Sequence, residues 1–222
     1  RSGTDGLLHL GIDAVFEDIE TDAVKIGMLS GEESMRAVAE KLSEYKAQNI
    51  VADPVMYAKN GCPLMDPDSV GALIDIIIPA ADLLTPNIPE AERIAGITIE
   101  NAEDMKKAAA KIYKIGSRNV LVKGGHLEKE ALDILYDGKD YYYFNSERIN
   151  TKNTHGTGCT YSSAIASNLA LGMGLESAVR KAKIYVTTAI RHSLNIGKGH
   201  GPTNHFYSLY KNGLENGGGN HD

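Results

Sequence analysis

The sequence contains no tryptophan, three phenylalanines and two cysteines in 222 residues. Cys62 and Cys159 stand far apart in unlike surroundings, which excludes a disulfide framework and a cysteine-based metal set. Such sparing use of cysteine fits a reducing compartment. Long hydrophobic runs are missing as well. The longest, over 73–84, is interrupted by Asp75, Pro79 and Asp82, short of the roughly 20 apolar residues a membrane span needs. Positive charge is in the minority, with 23 Lys and Arg against 29 Asp and Glu and a formal charge of -6. That balance argues against a nucleic-acid partner, whose phosphates are held by clustered cations, but a single nucleotide needs only a few well-placed groups. The start, Arg1-Ser2-Gly3-Thr4-Asp5, has no apolar signal core, so the expected location is the cytoplasm. What is present is ordinary globular material, 42% hydrophobic and 23% charged, enough for one sizeable core.

Apolar spacing of three to four predicts helices over 7–19, 31–45, 102–115, 157–171 and 174–194, with shorter ones over 67–77, 87–94 and 204–210. Between them lie short strand-like runs at 23–27, 49–52, 82–84 and 119–123. Runs at 131–136 and 140–144 flank Asp137-Gly138, a hairpin signal. Residues 57–66 read as a polar loop and 212–222 as a disordered tail. Repeated strand-helix-strand units imply an α/β fold with a mostly parallel sheet covered by helices on both faces. No internal repeat or linker divides the chain, so 1–222 is read as a single domain. In such sheets ligands sit beyond the carboxyl ends of the strands, a rule that selects Gly27-Met28, Asp53-Pro54, 85–90 and 123–126.

Each of these stretches has a chemical reading and a plain one. Gly156-Thr157-Gly158-Cys159-Thr160 opens an Ala/Ser-rich helix. Its glycines allow a tight turn and close approach, and its free N–H groups suit a phosphate; the plain alternative is a Thr-capped helix start. Asn87 and Glu90, three apart, can share one helix face and reach a hydrated Mg²⁺, or can simply cap the helix. Lys123, before Gly124-Gly125-His126, can meet a nucleotide phosphate or be an exposed strand-end lysine. Asp53 before Pro54 can orient Mg²⁺ or start a turn. Gly27 and Met28 can lie over a flat substrate, and Gly199 belongs to a flexible loop that can close beside a nucleotide base. The histidines 155, 192 and 200 lack metal-ligand spacing.

In order, Lys25-Ile26-Gly27-Met28-Leu29, Asp53-Pro54-Val55-Met56, Thr85-Pro86-Asn87-Ile88-Pro89-Glu90, Val122-Lys123-Gly124-Gly125-His126, His155-Gly156-Thr157-Gly158-Cys159-Thr160 and Gly199-His200-Gly201-Pro202 resemble the hydroxymethylpyrimidine/phosphomethylpyrimidine kinases of thiamine biosynthesis, within the ribokinase-like superfamily. The resemblance runs from about Ile12 to Tyr210 and implies a three-layer α/β/α fold. It further implies ATP and Mg²⁺, a small pyrimidine substrate and a homodimer. By this resemblance Gly156, Thr157 and Gly158 form an anion hole, and Cys159 is the general base facing the substrate. Lys123, Asn87, Thr160 and Gly199 attend the nucleotide, Glu90 and Asp53 the metal through water, and Gly27 and Met28 the pyrimidine.

The family's N-terminal Gly-Ser-Asp-x-x-Gly-Gly-Ala-Gly-like motif has no counterpart here, and residues 1–11 do not match the pattern. The N-terminal part of the fold is therefore expected to be missing, leaving an open sheet edge. Two alternatives stand beside the pyrimidine kinase: a pyridoxal or pyridoxine kinase of the same superfamily, and a non-catalytic pyrimidine-binding or regulatory protein.

Overall fold

A computed structural model describes residues 3–29, 31–58, 62–66, 68–125 and 131–216. Parts of the polar loop at 57–66, the helix start at Pro67, His126 and the tail from 217 lie outside the described residues.

Among the described residues, six strands form one sheet in sequence order: β1 (Val24–Ile26), β2 (Ile50–Ala52), β3 (Leu83–Leu84), β4 (Val120–Gly124), β5 (Leu132–Tyr136) and β6 (Tyr141–Phe144). The first four are parallel and the last two antiparallel. Among the described residues, β1 is at the end of the sheet and pairs with β2. The crossovers are α2 (Glu32–Glu44), a continuous run of α3 (Ser69–Ala72), a π turn (Leu73–Ile77) and α4 (Ile78–Ala80), then α5 (Ile88–Ala95) with α6 (Ala102–Ile115). An amino-terminal helix, α1 (Gly3–Phe16), packs on α2, where Phe16 stacks on Tyr45. After the hairpin come α7 (Thr157–Ala170), α8 (Leu175–Arg191) and α9 (Tyr207–Asn216).

Strand side chains alternate between two cores, so runs apolar at every position are required. Ile50, Ala52, Leu84, Val120 and Val122 face the crossover helices, meeting Met35, Ile77, Met105 and Ile112. Val51, Leu83, Leu121 and Leu135 face α7 and α8, meeting Tyr161, Ile165, Val179 and Val186. The result is the three-layer α/β/α arrangement that the motifs implied.

Two local features have simple causes. At the hairpin, Gly138 takes φ +92°, and a Cβ there would strike the Tyr113 ring; the Asp137 carboxylate accepts from the Lys139 and Asp140 N–H groups at 2.9 and 2.7 Å. The helix expected to end at Ile77 continues to Ala80. Pro79 has no N–H for the carbonyl four residues back and crowds it, and the preceding turn is widened to a π turn. The last helix begins at Tyr207 and runs to Asn216, later and longer than the 204–210 expected from spacing.

Candidate active site

Parallel pairing aligns the strand ends, and backbone bonds extend that alignment into the loops. Asp53 N–H donates to the Ile26 carbonyl at 3.0 Å, Thr85 N–H to Ala52 at 2.9 Å, and Lys123 N–H to Pro86 at 2.8 Å. Asp53, Thr85 and Lys123 thereby meet above the sheet. The Lys123 Nζ lies 2.7 Å from Asp53 Oδ1, and the Thr85 hydroxyl donates to the same oxygen at 3.3 Å. From α7, the Ser162 hydroxyl reaches Asp53 Oδ2 at 3.5 Å. Asp53 is only 3% exposed, so its charge depends on these partners. Burial works to lower the Lys123 pKa, but the Asp53 and Glu90 carboxylates outweigh it and the net direction is upward. Lys123 is therefore a fixed cation at the floor of the site.

Asn87 and Glu90 form a capping box at the start of α5. The Asn87 side chain accepts from Glu90 N–H at 3.0 Å, and the Glu90 carboxylate accepts from Asn87 N–H at 2.8 Å. The plain capping geometry is thus realised, and it aims a buried carboxylate at the Lys123 end of the site. Burial raises the Glu90 pKa to about 6, against the opposing pull of Lys123 and the Asn87 N–H. The folded chain then binds more protons than the unfolded chain between the ordinary 4.5 and about 6. This contribution to stability is complete below that window and lost as pH rises through it. Glu90→Gln keeps the acceptor and removes the titration. Its stability relative to the parent should rise by on the order of 2 kcal/mol between acid and neutral pH, measured by urea denaturation at both.

The amino end of α7 closes the other side. Gly156 caps the helix at φ +80° with no side-chain cap on the first turn, because the Thr157 hydroxyl donates backward to the Thr154 carbonyl at 2.8 Å. The N–H groups at this end are consequently not satisfied by a capping side chain. A Cβ on Gly158 would sit 3.4 Å from Lys123 Nζ and 3.6 Å from Asp53 Oδ2. Only a glycine leaves that space open between helix end, cation and carboxylate. Gly158→Ala should fold at least as stably, since alanine favours a helix by up to about 1 kcal/mol. Its affinity for a phosphate-bearing ligand should fall about tenfold or more, which calorimetry alongside thermal melting would read.

The structure brings Asp53, Lys123, Glu90, Asn87 and Gly158 into one cluster. Gly156 and Thr157 frame it, and Cys159 is exposed beside it. Gly27 and Met28 follow β1, with Met28 more than half exposed. Thr160 points elsewhere: its hydroxyl is 2.9 Å from His205 Nε2, in a groove of about 500 Å³ that also meets Cys159, Ser163 and Lys181. Gly199 lies in an exposed bend, and its neighbours are tied to the rim. His155 N–H donates to the Gly201 carbonyl and Gly201 N–H to the Asn153 side chain, both at 3.1 Å. Ser162 and Thr85 belong to the site as well, through their hydroxyl contacts with Asp53. The available signals were the position of Ser162 one helical turn past Gly158 and that of Thr85 directly after a strand.

A lysine, helix N–H groups that no side chain caps and a gap left by a missing Cβ fit a nucleotide phosphate. Among the described residues no group of three His, Cys, Asp or Glu side chains is arranged to hold a metal. Asp53 and Glu90, each engaged by protein donors, suit a Mg²⁺ held mainly by phosphates and water.

A mostly parallel α/β/α sandwich with an uncapped helix end over the strand termini is the architecture of a ribokinase-like kinase. The chain belongs to the phosphomethylpyrimidine kinase family, whose model matches residues 5–204. It is 51% identical over 195 residues to the thiamine biosynthesis bifunctional protein ThiED of Geobacter sulfurreducens, covering 87% of this chain and 40% of that protein. It is 44% identical over 201 residues to the hydroxymethylpyrimidine/phosphomethylpyrimidine kinase of Bacillus subtilis, covering 90% and 74%. Among solved structures, an ADP complex of Bacillus subtilis pyridoxal kinase superposes with a TM-score of 0.83 at 34% identity, covering 90% of this chain and 76% of that one. Membership in a kinase family carries ATP use with it. No described helix is long and apolar enough to cross a membrane.

Proposed function

We propose that the chain acts as one kinase domain, 1–222, that transfers the γ-phosphoryl group of ATP to 4-amino-5-hydroxymethyl-2-methylpyrimidine, and then to its monophosphate, in thiamine diphosphate biosynthesis. The observation that carries this reading is the gap over Gly158, walled by Lys123 and Asp53, with Cys159 next in the chain. Lys123 and the α7 N–H groups hold the transferring phosphoryl group and balance its charge. The Cys159 thiolate accepts the hydroxyl proton and becomes the thiol as the alcohol oxygen bonds to phosphorus and the bond to ADP breaks. In the second round a phosphate oxygen of the monophosphate takes the place of the alcohol. The transition state is loose, so alignment and charge contribute more than deprotonation. Asn87 attends the nucleotide from the cluster and Thr160 from the groove beside Cys159, Gly199 lies toward its base, and Gly27 and Met28 lie toward the pyrimidine. Glu90 and Asp53 would hold Mg²⁺ through water, and the ion when bound would neutralise phosphate charge. On the same family likeness the protein is a cytoplasmic homodimer.

A second reading, pyridoxal phosphorylation, is favoured by the extent of superposition on a pyridoxal kinase. Steady-state kcat/KM for the pyrimidine, its monophosphate and pyridoxal separates the two. A preference of about tenfold or more for the pyrimidine is expected. A preference for pyridoxal would overturn the substrate, and no transfer to any of them would overturn the activity.

A further inference from the structure

A second buried ion pair sits beside the first. Asp133 is the direct antiparallel partner of Lys123 across β4 and β5, which places both side chains on the face covered by α7 and α8. Asp133 is 2% exposed and Lys183, from α8, is 9% exposed. Their charged atoms are 2.6 Å apart. The other Asp133 oxygen accepts from Gly124 N–H at 3.0 Å, and Lys183 also donates to the Ala131 carbonyl at 2.9 Å. The Tyr161 ring lies below Lys183, with 5.9 Å between the ammonium nitrogen and the ring centroid. The sequence Asp53, Lys123, Asp133, Lys183 thus crosses β2, β4, β5 and α8 with charges alternating in sign.

We propose that Asp133 and Lys183 are positioning residues that set how much of the Lys123 charge is available to a nucleotide phosphate. Asp133 fixes the backbone immediately after Lys123 through Gly124. Its carboxylate also attracts the Lys123 ammonium, as the upward shift of that lysine reflects in part. Lys183 neutralises Asp133 from the far side. Without Lys183, Asp133 holds Lys123 back from the ligand, because buried charges are weakly screened. Without the Asp133 charge, Lys123 is held by Asp53 and Glu90, and the field of Lys183 adds to the attraction for an anion. Opposite effects from the two halves of one ion pair follow, whereas a merely structural bridge would weaken binding whichever half were removed.

This rests on the reading of Lys123 as a phosphate-binding group, so the test includes that residue. Calorimetry with β,γ-methylene ATP and Mg²⁺ needs no alcohol substrate. Lys183→Met should weaken binding about tenfold, and Asp133→Asn, which keeps an acceptor for Gly124, should hold it or tighten it about threefold. The double variant should recover most of the loss, and Lys183→Arg should restore the parent affinity. Weaker binding in both single variants, or none of the recovery in the double, would overturn the inference while leaving Lys123 in place. Unchanged binding in Lys123→Met would overturn the underlying reading and the inference with it. If Lys183→Met fails to fold, Asp133→Asn decides alone, since a clear loss of affinity contradicts the proposal.

Discussion

Replacing Cys159 by alanine should lower kcat by about 10²–10⁴-fold, the range for loss of a general base, and leave ATP binding near that of the parent. The reason lies in the local geometry. Cys159 is the third residue of α7 and exposed, whereas Gly158 is the position that faces Lys123 and Asp53. The side chain therefore projects from the helix end without forming the phosphate cradle, and truncating it leaves the N–H groups and Lys123 where they were. Steady-state kinetics paired with calorimetry on the nucleotide would check both halves. A rate near that of the parent would remove Cys159 from proton transfer, and a large loss of nucleotide affinity would place it in the cradle instead.

The second large effect is expected at Lys123, where methionine preserves volume and removes the charge. Two separable losses should follow. Catalysis should fall by about 10²-fold or more, as for loss of a group that stabilises transition-state charge. Stability should fall by roughly 3–5 kcal/mol, because Asp53 remains buried with only the Thr85 and Ser162 hydroxyls to balance it. Adding Asp53→Asn to Lys123→Met should restore much of the stability and none of the rate. Denaturant unfolding and initial rates on the same two proteins would read the separation, and recovery of activity in the double variant would contradict it.

Much of the architecture was open to reading in the chain itself. β4 is legible because a strand buried on both faces needs an unbroken apolar run, which Val120, Leu121 and Val122 supply before the polar Lys123. The hairpin is legible because Asp137-Gly138 meets a local demand, a positive φ and an acceptor for two N–H groups. Likewise, the spacing of Asn87 and Glu90 already contained both a cap and a carboxylate directed toward the site. The elements misjudged were those whose ends depend on neighbours. The helix expected over 67–77 runs on through Pro79, which the widened turn over Leu73–Ile77 accommodates. The start of α9 follows a stretch anchored by tertiary bonds, such as Asn204 N–H to the Ala189 carbonyl, which periodicity does not register.

The site was legible as a collection of strand ends and one helix start, and less so as a set of partners. Lys123 and Asp53 lie 70 residues apart, and Ser162 and Asp53 lie 109 apart; no spacing rule links such residues before the sheet order is known. Asp133 and Lys183 carry no signal in the sequence, because a lone Asp in a strand and a lone Lys in a helix are ordinary surface residues by pattern. Their burial is a property of register, Asp133 opposite Lys123, and of the packing of α8. Thr160 shows the converse: a motif neighbour in sequence whose hydroxyl turns away to His205.

The most direct test follows the phosphoryl group itself. The chain, Mg²⁺, ATP labelled in its γ-phosphate and 4-amino-5-hydroxymethyl-2-methylpyrimidine are incubated together and the products separated. The expected result is label on the pyrimidine, first as the monophosphate and then as the diphosphate, with transfer slowed to the extent given above in Cys159→Ala. Label that remains on ATP, or appears as inorganic phosphate with the pyrimidine unmodified, would contradict the assignment.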